Sequence, residues 1–165
     1  MGLDPEVQRV QGQAHSSIWS LFFMKTVSEL MTRELVTLQE TQNLAIADEL
    51  LRLNRIRHLP VLRQGKLVGL ITHRDLLKAT GLKCPDPVKQ PLWAADIMTR
   101  EVRTVGPDTP LREAVKVMMK NKFGCLPVVT EDGSLVGILT EADLVRYAEK
   151  LIGDLDRLSE AAEYE

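Results

Sequence analysis

The amino-acid sequence predicts an α+β fold, α/β-like in its alternation, of two pseudo-twofold-related β-α-β-β-α repeats packed through their sheets into one module. Three observations predict it. The segment Leu30-Met31-Thr32-Arg33-Glu34 recurs as Ile97-Met98-Thr99-Arg100-Glu101, and self-similarity at a fixed offset marks a duplicated structural unit. Within each copy, apolar residues recur first at helical spacing and then in short continuous runs, as for a helix followed by strands. The paired runs flank Gln64-Gly65 in one copy and Asp132-Gly133 in the other, which is hairpin chemistry.

The copies stay in register from Thr37 with Thr104 through Leu44 with Leu111, Ala47 with Ala114 and Asn54 with Asn121, to Leu59-Pro60-Val61 with Leu126-Pro127-Val128. Register slips once, where Arg63-Gln64-Gly65-Lys66 is answered by the longer Thr130-Glu131-Asp132-Gly133-Ser134, and resumes at Leu67-Val68-Gly69 with Leu135-Val136-Gly137. A slip of this kind belongs in a turn. The repeats span residues 27–80 and 94–151, with an N-terminal segment (1–26), a proline-rich linker (81–93) and an acidic C-terminal tail (152–165) around them.

In order along a repeat, Val36 to Leu38 reads as a short strand, and Leu44, Ala47, Leu50 and Leu51 form one face of a helix. In the second copy Thr109 is placed to cap the helix, Pro110 suits its first position, and Leu111, Ala114, Val115 and Met118 form the buried face. Leu59 to Leu62 and Leu67 to Ile71, like Val128-Val129 and Leu135 to Leu139, are the hairpin strands. Pro60 and Pro127 cannot donate to a ladder and belong at the start or edge of a strand, leaving the backbone before them free for other bonds. A last helix starts near Glu141 and runs through Leu151, where Gly153 weakens it. Sheets this small expose an apolar face, so the halves pack on each other and create two similar clefts.

Composition bounds the function. The 165 residues, 44% hydrophobic and 27% charged, are ordinary for a globular chain. With 21 basic and 23 acidic side chains there is no basic excess to draw nucleic acid. Cys84 and Cys125 have neither zinc-site nor disulfide-scaffold spacing and read as reduced thiols in a cytoplasm. The apolar run Ile18 to Met24 is too short to span a membrane, which takes about 20 residues. It is expected to pack on the module or on a second subunit, the alternative being attachment to a membrane surface. No Gly-x-Ser-x-Gly elbow, Walker-type loop, metal spacing or nucleophile and base pair is present, so no enzyme is expected.

The Met-Thr entries, the Leu-Pro-Val strand starts, and Gly69-Leu70-Ile71-Thr72-His73-Arg74-Asp75 with Gly137-Ile138-Leu139-Thr140-Glu141-Ala142-Asp143 resemble a tandem pair of cystathionine-beta-synthase-type (CBS) repeats, a Bateman module. The resemblance covers about Val27 to Leu151. It implies a regulatory module binding AMP, ADP, ATP or S-adenosylmethionine between the repeats, with no cofactor required. It also implies a homodimer, with the helical surfaces Asp48 to Asn54 and Leu111 to Asn121 as candidate faces. With no effector domain in the sequence, output passes through an effector protein or the oligomer itself. The alternative is a structural, dimerising module whose clefts stay empty.

By the same resemblance, one cleft gathers Thr32, Leu35, Thr37, Ile56, Arg57 and His58 with Thr140, Ala142 and Asp143. The other gathers Thr99, Val102, Thr104, Phe123, Gly124 and Cys125 with Thr72, Arg74 and Asp75. A Thr at a strand-to-helix junction with an Asp three residues on makes a capping box. The same geometry aims backbone N–H groups and the positive helix end outward, towards a phosphate. An ionised Asp accepts hydrogen bonds from a ribose diol and belongs at the sugar end. Arg74 is the candidate phosphate ligand, against a solvated surface role; His58 and His73 are either phosphate neighbours or polar surface histidines. Gly69 and Gly137, in apolar strands, imply close approach of a ligand or a neighbouring strand. Met31, Met98, Met118 and Met119 read as core filler.

Overall fold

The computed structural model of the chain describes residues 25–81 and 92–162; most of the N-terminal segment, residues 82–91 of the linker with Cys84, and the last three residues lie outside it. The first repeat comprises β1 (Leu38–Gln39), α1 (Leu44–Leu53), β2 (His58–Arg63), β3 (Lys66–Thr72) and α2 (His73–Gly81). The second begins with the short helix α3 (Ala94–Ile97) and continues through α4 (Leu111–Asn121), β4 (Cys125–Val129), β5 (Leu135–Thr140) and α5 (Glu141–Ala162). A 3-10 turn, Val27–Glu29, opens the first repeat at the place that α3 occupies in the second.

β1 pairs in parallel with β2, and β2 antiparallel with β3; β4 pairs antiparallel with β5. In the second repeat a single parallel bridge, Val105 to Val128, stands where β1 stands in the first. Gln64 and Gly65 both have positive φ (50° and 78°), the requirement of a two-residue turn whose twist matches the strands it joins. Pro60 and Pro127 lie third in their strands rather than first. Pro60 precedes Val61, where pairing with β1 begins, so its missing N–H interrupts no ladder on that side. The Pro127 carbonyl still accepts from Val105 N–H at 3.1 Å.

Two expectations from sequence change. Thr109 does not cap α4: Pro110 holds the capping position without a side-chain bond, while Thr109 Oγ1 accepts from Gly106 N–H at 3.1 Å. A threonine hydroxyl that finds a nearby loop N–H is no longer available to the helix. At the other end, α5 continues through Gly153 to Ala162. One glycine costs a helix about 1 kcal/mol relative to alanine, too little to stop it among strong helix formers.

The repeats do more than face each other: they exchange their lead-in segments. Val27 and Met31, which open the first repeat, are buried in the core of the second beside Leu111, Met118, Leu126 and Leu139. Ala94 and Met98, which open the second, complete the core of the first beside Leu38, Leu51, Leu59 and Ile71. Backbone bonds secure the exchange, Thr32 N–H to Ile138 carbonyl at 2.9 Å and Thr99 N–H to Leu70 carbonyl at 2.9 Å. Neither repeat has a complete core without the other.

This exchange explains the strand glycines. A Cβ on Gly69 would stand 2.8 Å from Met98 Cγ, and one on Gly137 2.9 Å from Met31 Cγ, so the close approach is by the exchanged methionine of the other repeat. Either Gly→Ala change overpacks a core, and each is expected to destabilise the chain by about 1–3 kcal/mol, measurable as a lower urea midpoint at unchanged slope. Pairing Gly69→Ala with Met98→Ala should recover part of the loss.

Candidate functional site

Two equivalent turns place the site. After α1, Arg55 adopts the left-handed conformation (φ 52°), and after α4 Lys122 does the same (φ 56°). A left-handed residue ends a helix by turning its last N–H groups back: Ile56 N–H bonds Leu51 carbonyl at 3.1 Å and Phe123 N–H bonds Met118 carbonyl at 3.0 Å. The chain is thereby thrown across the junction as Ile56-Arg57-His58 in one repeat and Phe123-Gly124-Cys125 in the other. Neither Arg nor Lys favours positive φ, and the strain of order 1 kcal/mol at each turn is held by these bonds.

The first cavity, about 250 Å3, is lined by Thr32, Leu35, Ile56, Arg57, His58, Thr140 and Ala142, as the sequence led us to expect, and also by Glu34, Arg55, Gly124, Glu141 and Arg146. The second, about 550 Å3, is lined by Thr72, Arg74, Thr99, Val102, Phe123, Gly124 and Cys125, together with Arg57, His58, His73, Glu101, Arg103, Lys122 and Glu141. Thr37 and Thr104 do not line the cavities; Val36 and Arg103, one residue earlier, do. Glu34, Arg55, Glu101, Arg103, Lys122, Glu141 and Arg146 are the charged neighbours that sequence reasoning missed. Lys122 was open to discovery as the partner of Arg55 in the alignment of the two copies.

Asp75 and Asp143 also stand outside the linings, each hydrogen-bonded to a threonine that belongs to one. Both make the capping box. Thr72 N–H and hydroxyl donate to Asp75 Oδ2 at 2.8 and 2.6 Å, and Asp75 N–H donates to Thr72 Oγ1 at 3.3 Å. Thr140 N–H and hydroxyl donate to Asp143 Oδ2, both at 2.7 Å. The second oxygens differ. Asp143, only 4% exposed, receives the Thr32 hydroxyl of the other repeat on Oδ1 at 3.0 Å and the Arg146 guanidinium on the same atom. Among the described residues nothing donates to Asp75 Oδ1. One carboxylate is closed by protein; its twin keeps an open acceptor.

The cavities share a wall, since Arg57, His58, Gly124 and Glu141 line both. His58 lies against Gly124, where a Cβ would stand 2.9 Å from Nε2, and Arg57 faces Glu141 at 3.8 Å. Burial and then the Arg57 charge hold the His58 imidazole below its ordinary pKa, Glu141 acting in the opposite sense. The Cys125 thiol is pushed up to about 12 by burial and Glu141, so it stays protonated and is no nucleophile. The carbonyls of Arg57 and Gly124 accept from His73 and Glu141 N–H, each at 3.1 Å, so the backbone before Leu59 and Leu126 is already bonded once and retains one lone pair on each oxygen.

The depressed His58 pKa has a stability consequence. The unfolded imidazole takes up its proton near 6.5, before the folded one does. Its contribution is therefore complete above about pH 6.5 and is lost as pH falls through the lower folded value. Urea midpoints measured from pH 7.5 to 5 should fall less steeply for His58→Gln than for the parent chain.

Comparison with known proteins bears on this geometry. A family model described as CBS domain matches residues 27–81 and again 94–150. A homoserine O-acetyltransferase of Methanococcoides burtonii is 34% identical over 136 residues, which are 82% of this chain and 26% of that protein; the chain thus spans about a quarter of that relative. Among solved structures, the CBS domain pair of protein MJ0100 in complex with 5-methylthioadenosine and S-adenosyl-L-methionine matches with a TM-score of 0.68 at 29% identity, covering 77% of this chain and 98% of that one. CBSX2 in complex with AMP matches with a TM-score of 0.67 at 32% identity, covering 76% and 97%. No helix among the described residues is long and apolar enough to cross a membrane.

Proposed function

Because the chain belongs to the CBS domain family, we propose that it is a ligand-sensing regulatory module that binds an adenosine-containing nucleotide between its repeats, first in the cavity walled by Thr72, Arg74 and Thr99. The observation that carries this reading is that Asp75 Oδ1 receives no donor among the described residues, in a carboxylate hydrogen-bonded to Thr72, which lines a cavity whose 550 Å3 lies within the usual range for small-molecule sites. Arg57, Arg74, Arg103 and Lys122 outnumber Glu101 and Glu141 on its wall. That excess favours a phosphate-bearing adenosine (AMP, ADP or ATP) over S-adenosylmethionine with its cationic sulfonium. Thr72 and His73 at the start of α2 and Arg74 line the same cavity and would together serve a phosphate there, with the ribose diol towards Asp75. The complexes of CBSX2 and MJ0100 with adenosine compounds support the class of ligand.

Such a module needs no chemistry of its own. The ligand would tie exchanged halves together, and a partner would read the change. The homodimer surfaces proposed are α1 and α4, where Leu53 and Met119 are 63% and 75% exposed. The relatives named as enzymes match over a fraction of their length, which supports a regulatory role detached from catalysis.

Thermal unfolding with AMP, ADP, ATP and S-adenosylmethionine in turn tests the proposal. A ligand present at 100 times its dissociation constant should stabilise the chain by about 2.7 kcal/mol. No shift with any of the four would favour the alternative, a dimerising module with empty clefts.

A further inference from the structure

The helix α5 outgrows its repeat. Its first turns pack on the second core through Leu144 and Tyr147, but on the adjoining face Val145 is 67%, Ile152 59% and Leu155 47% exposed. With Ala148, also exposed, these residues recur at intervals of three, four and three, which lays them in one stripe along the helix. A stripe of this length carrying three large aliphatic side chains in water calls for a cover.

The chain carries a candidate cover at the right place. Residues 18–24, Ile-Trp-Ser-Leu-Phe-Phe-Met, are the most apolar early stretch of the sequence, and they end where the described chain begins, at Lys25. The Lys25 carbonyl accepts from Leu111 N–H at 2.8 Å. Two residues on, Val27 is fully buried in the cluster that also holds Leu144 and Tyr147 of α5. From Val145 to Leu155 the stripe is about 15 Å long at 1.5 Å per residue. Seven residues span about 10 Å as a helix and about 23 Å extended, so the segment is long enough to run along the whole stripe when extended and along two thirds of it as a helix.

We propose that residues 18–24 of the same chain dock on the Val145-Ala148-Ile152-Leu155 stripe of α5, Trp19, Phe22 and Phe23 supplying the buried area. The contact makes the N-terminal segment an extension of the second core, independent of any nucleotide.

Tryptophan fluorescence tests it on the full chain. The sequence has two tryptophans, Trp19 and Trp93, so Trp93→Phe leaves Trp19 as the sole reporter. The expected result is short-wavelength emission and weak acrylamide quenching at every protein concentration, both shifting towards those of free tryptophan when Ile152→Asp and Leu155→Asp are added. Lys150→Asp, exposed on the opposite face of the same helix, should leave the signal unchanged, and thermal unfolding confirms that each variant folds. Four results would overturn the proposal: a solvent-exposed Trp19 in the parent; protection that appears only as the protein associates, which assigns the cover to a second copy; protection that appears only with phosphatidylglycerol vesicles, which makes the segment a membrane anchor; or protection that the stripe substitutions leave intact.

Discussion

Asp143→Ala should lower the stability of the folded chain by about 3 kcal/mol, whereas Asp75→Ala, the same change at the equivalent position, should cost only about 1. Both lose a helix cap, typically about 1 kcal/mol. Only Asp143 also holds the other repeat, accepting the Thr32 hydroxyl at 3.0 Å while 4% exposed. A hydrogen bond to a charged group contributes about 1.5–3 kcal/mol, and its removal strands a threonine hydroxyl. For a domain of this size the loss corresponds to roughly 6–12 °C in Tm. Urea unfolding of the two alanine variants makes the comparison. Equal losses would mean that Asp143 does nothing for the junction beyond capping α5. Thr32→Val isolates the cross-repeat bond, and its cost should approach the difference between the two aspartates.

That difference shows what one sequence can and cannot disclose. The duplication, the hairpins and the Thr-x-x-Asp caps were legible because each is local: an offset repeat, a Gly in a turn, a hydroxyl three residues from a carboxylate. The exchange of lead-in segments was not. Val27 and Met31 have the apolar character of core residues, but nothing local says whose core they enter, and Gly69 and Gly137 announced a close approach without naming Met98 and Met31 as the groups approaching. A hydrophobic pattern specifies which face is buried and leaves the partner open.

The site was legible to the same depth. Repeat alignment brought most of the lining residues together because equivalent positions do equivalent work in the two copies. It failed where the copies differ outside the shared motif. Arg146 follows Asp143 at i+3, a spacing that pairs charges on a helix, and the sequence holds Lys78 at the matching place after Asp75. Lysine and arginine are not interchangeable there, since the guanidinium fork suits a carboxylate, and the structure seats Arg146 on Asp143. The missed cap at Thr109 has a similar origin: a hydroxyl can serve any of several nearby N–H groups, and here it accepts from Gly106.

The second large effect concerns the ligand. Asp75→Ala should weaken nucleotide binding about 10- to 100-fold, the equivalent of one charge-assisted hydrogen bond to the ribose, and Arg74→Ala should weaken ADP and ATP more than adenosine. Asp143→Ala, studied at a temperature where it remains folded, should leave the first binding event nearly unchanged, because its oxygens already serve Thr140, Thr32 and Arg146. Arg146→Ala removes one of the two donors on Asp143 Oδ1, leaving the Thr32 hydroxyl, and frees part of the smaller cavity, so a second and weaker binding event should emerge by calorimetry, raising the stoichiometry from one towards two. If binding instead survives Asp75→Ala and vanishes with Asp143→Ala, the nucleotide occupies the 250 Å3 cavity, and the buried carboxylate must exchange its protein partners for ligand. The arginine at 146 would then be part of the binding site and not its stopper.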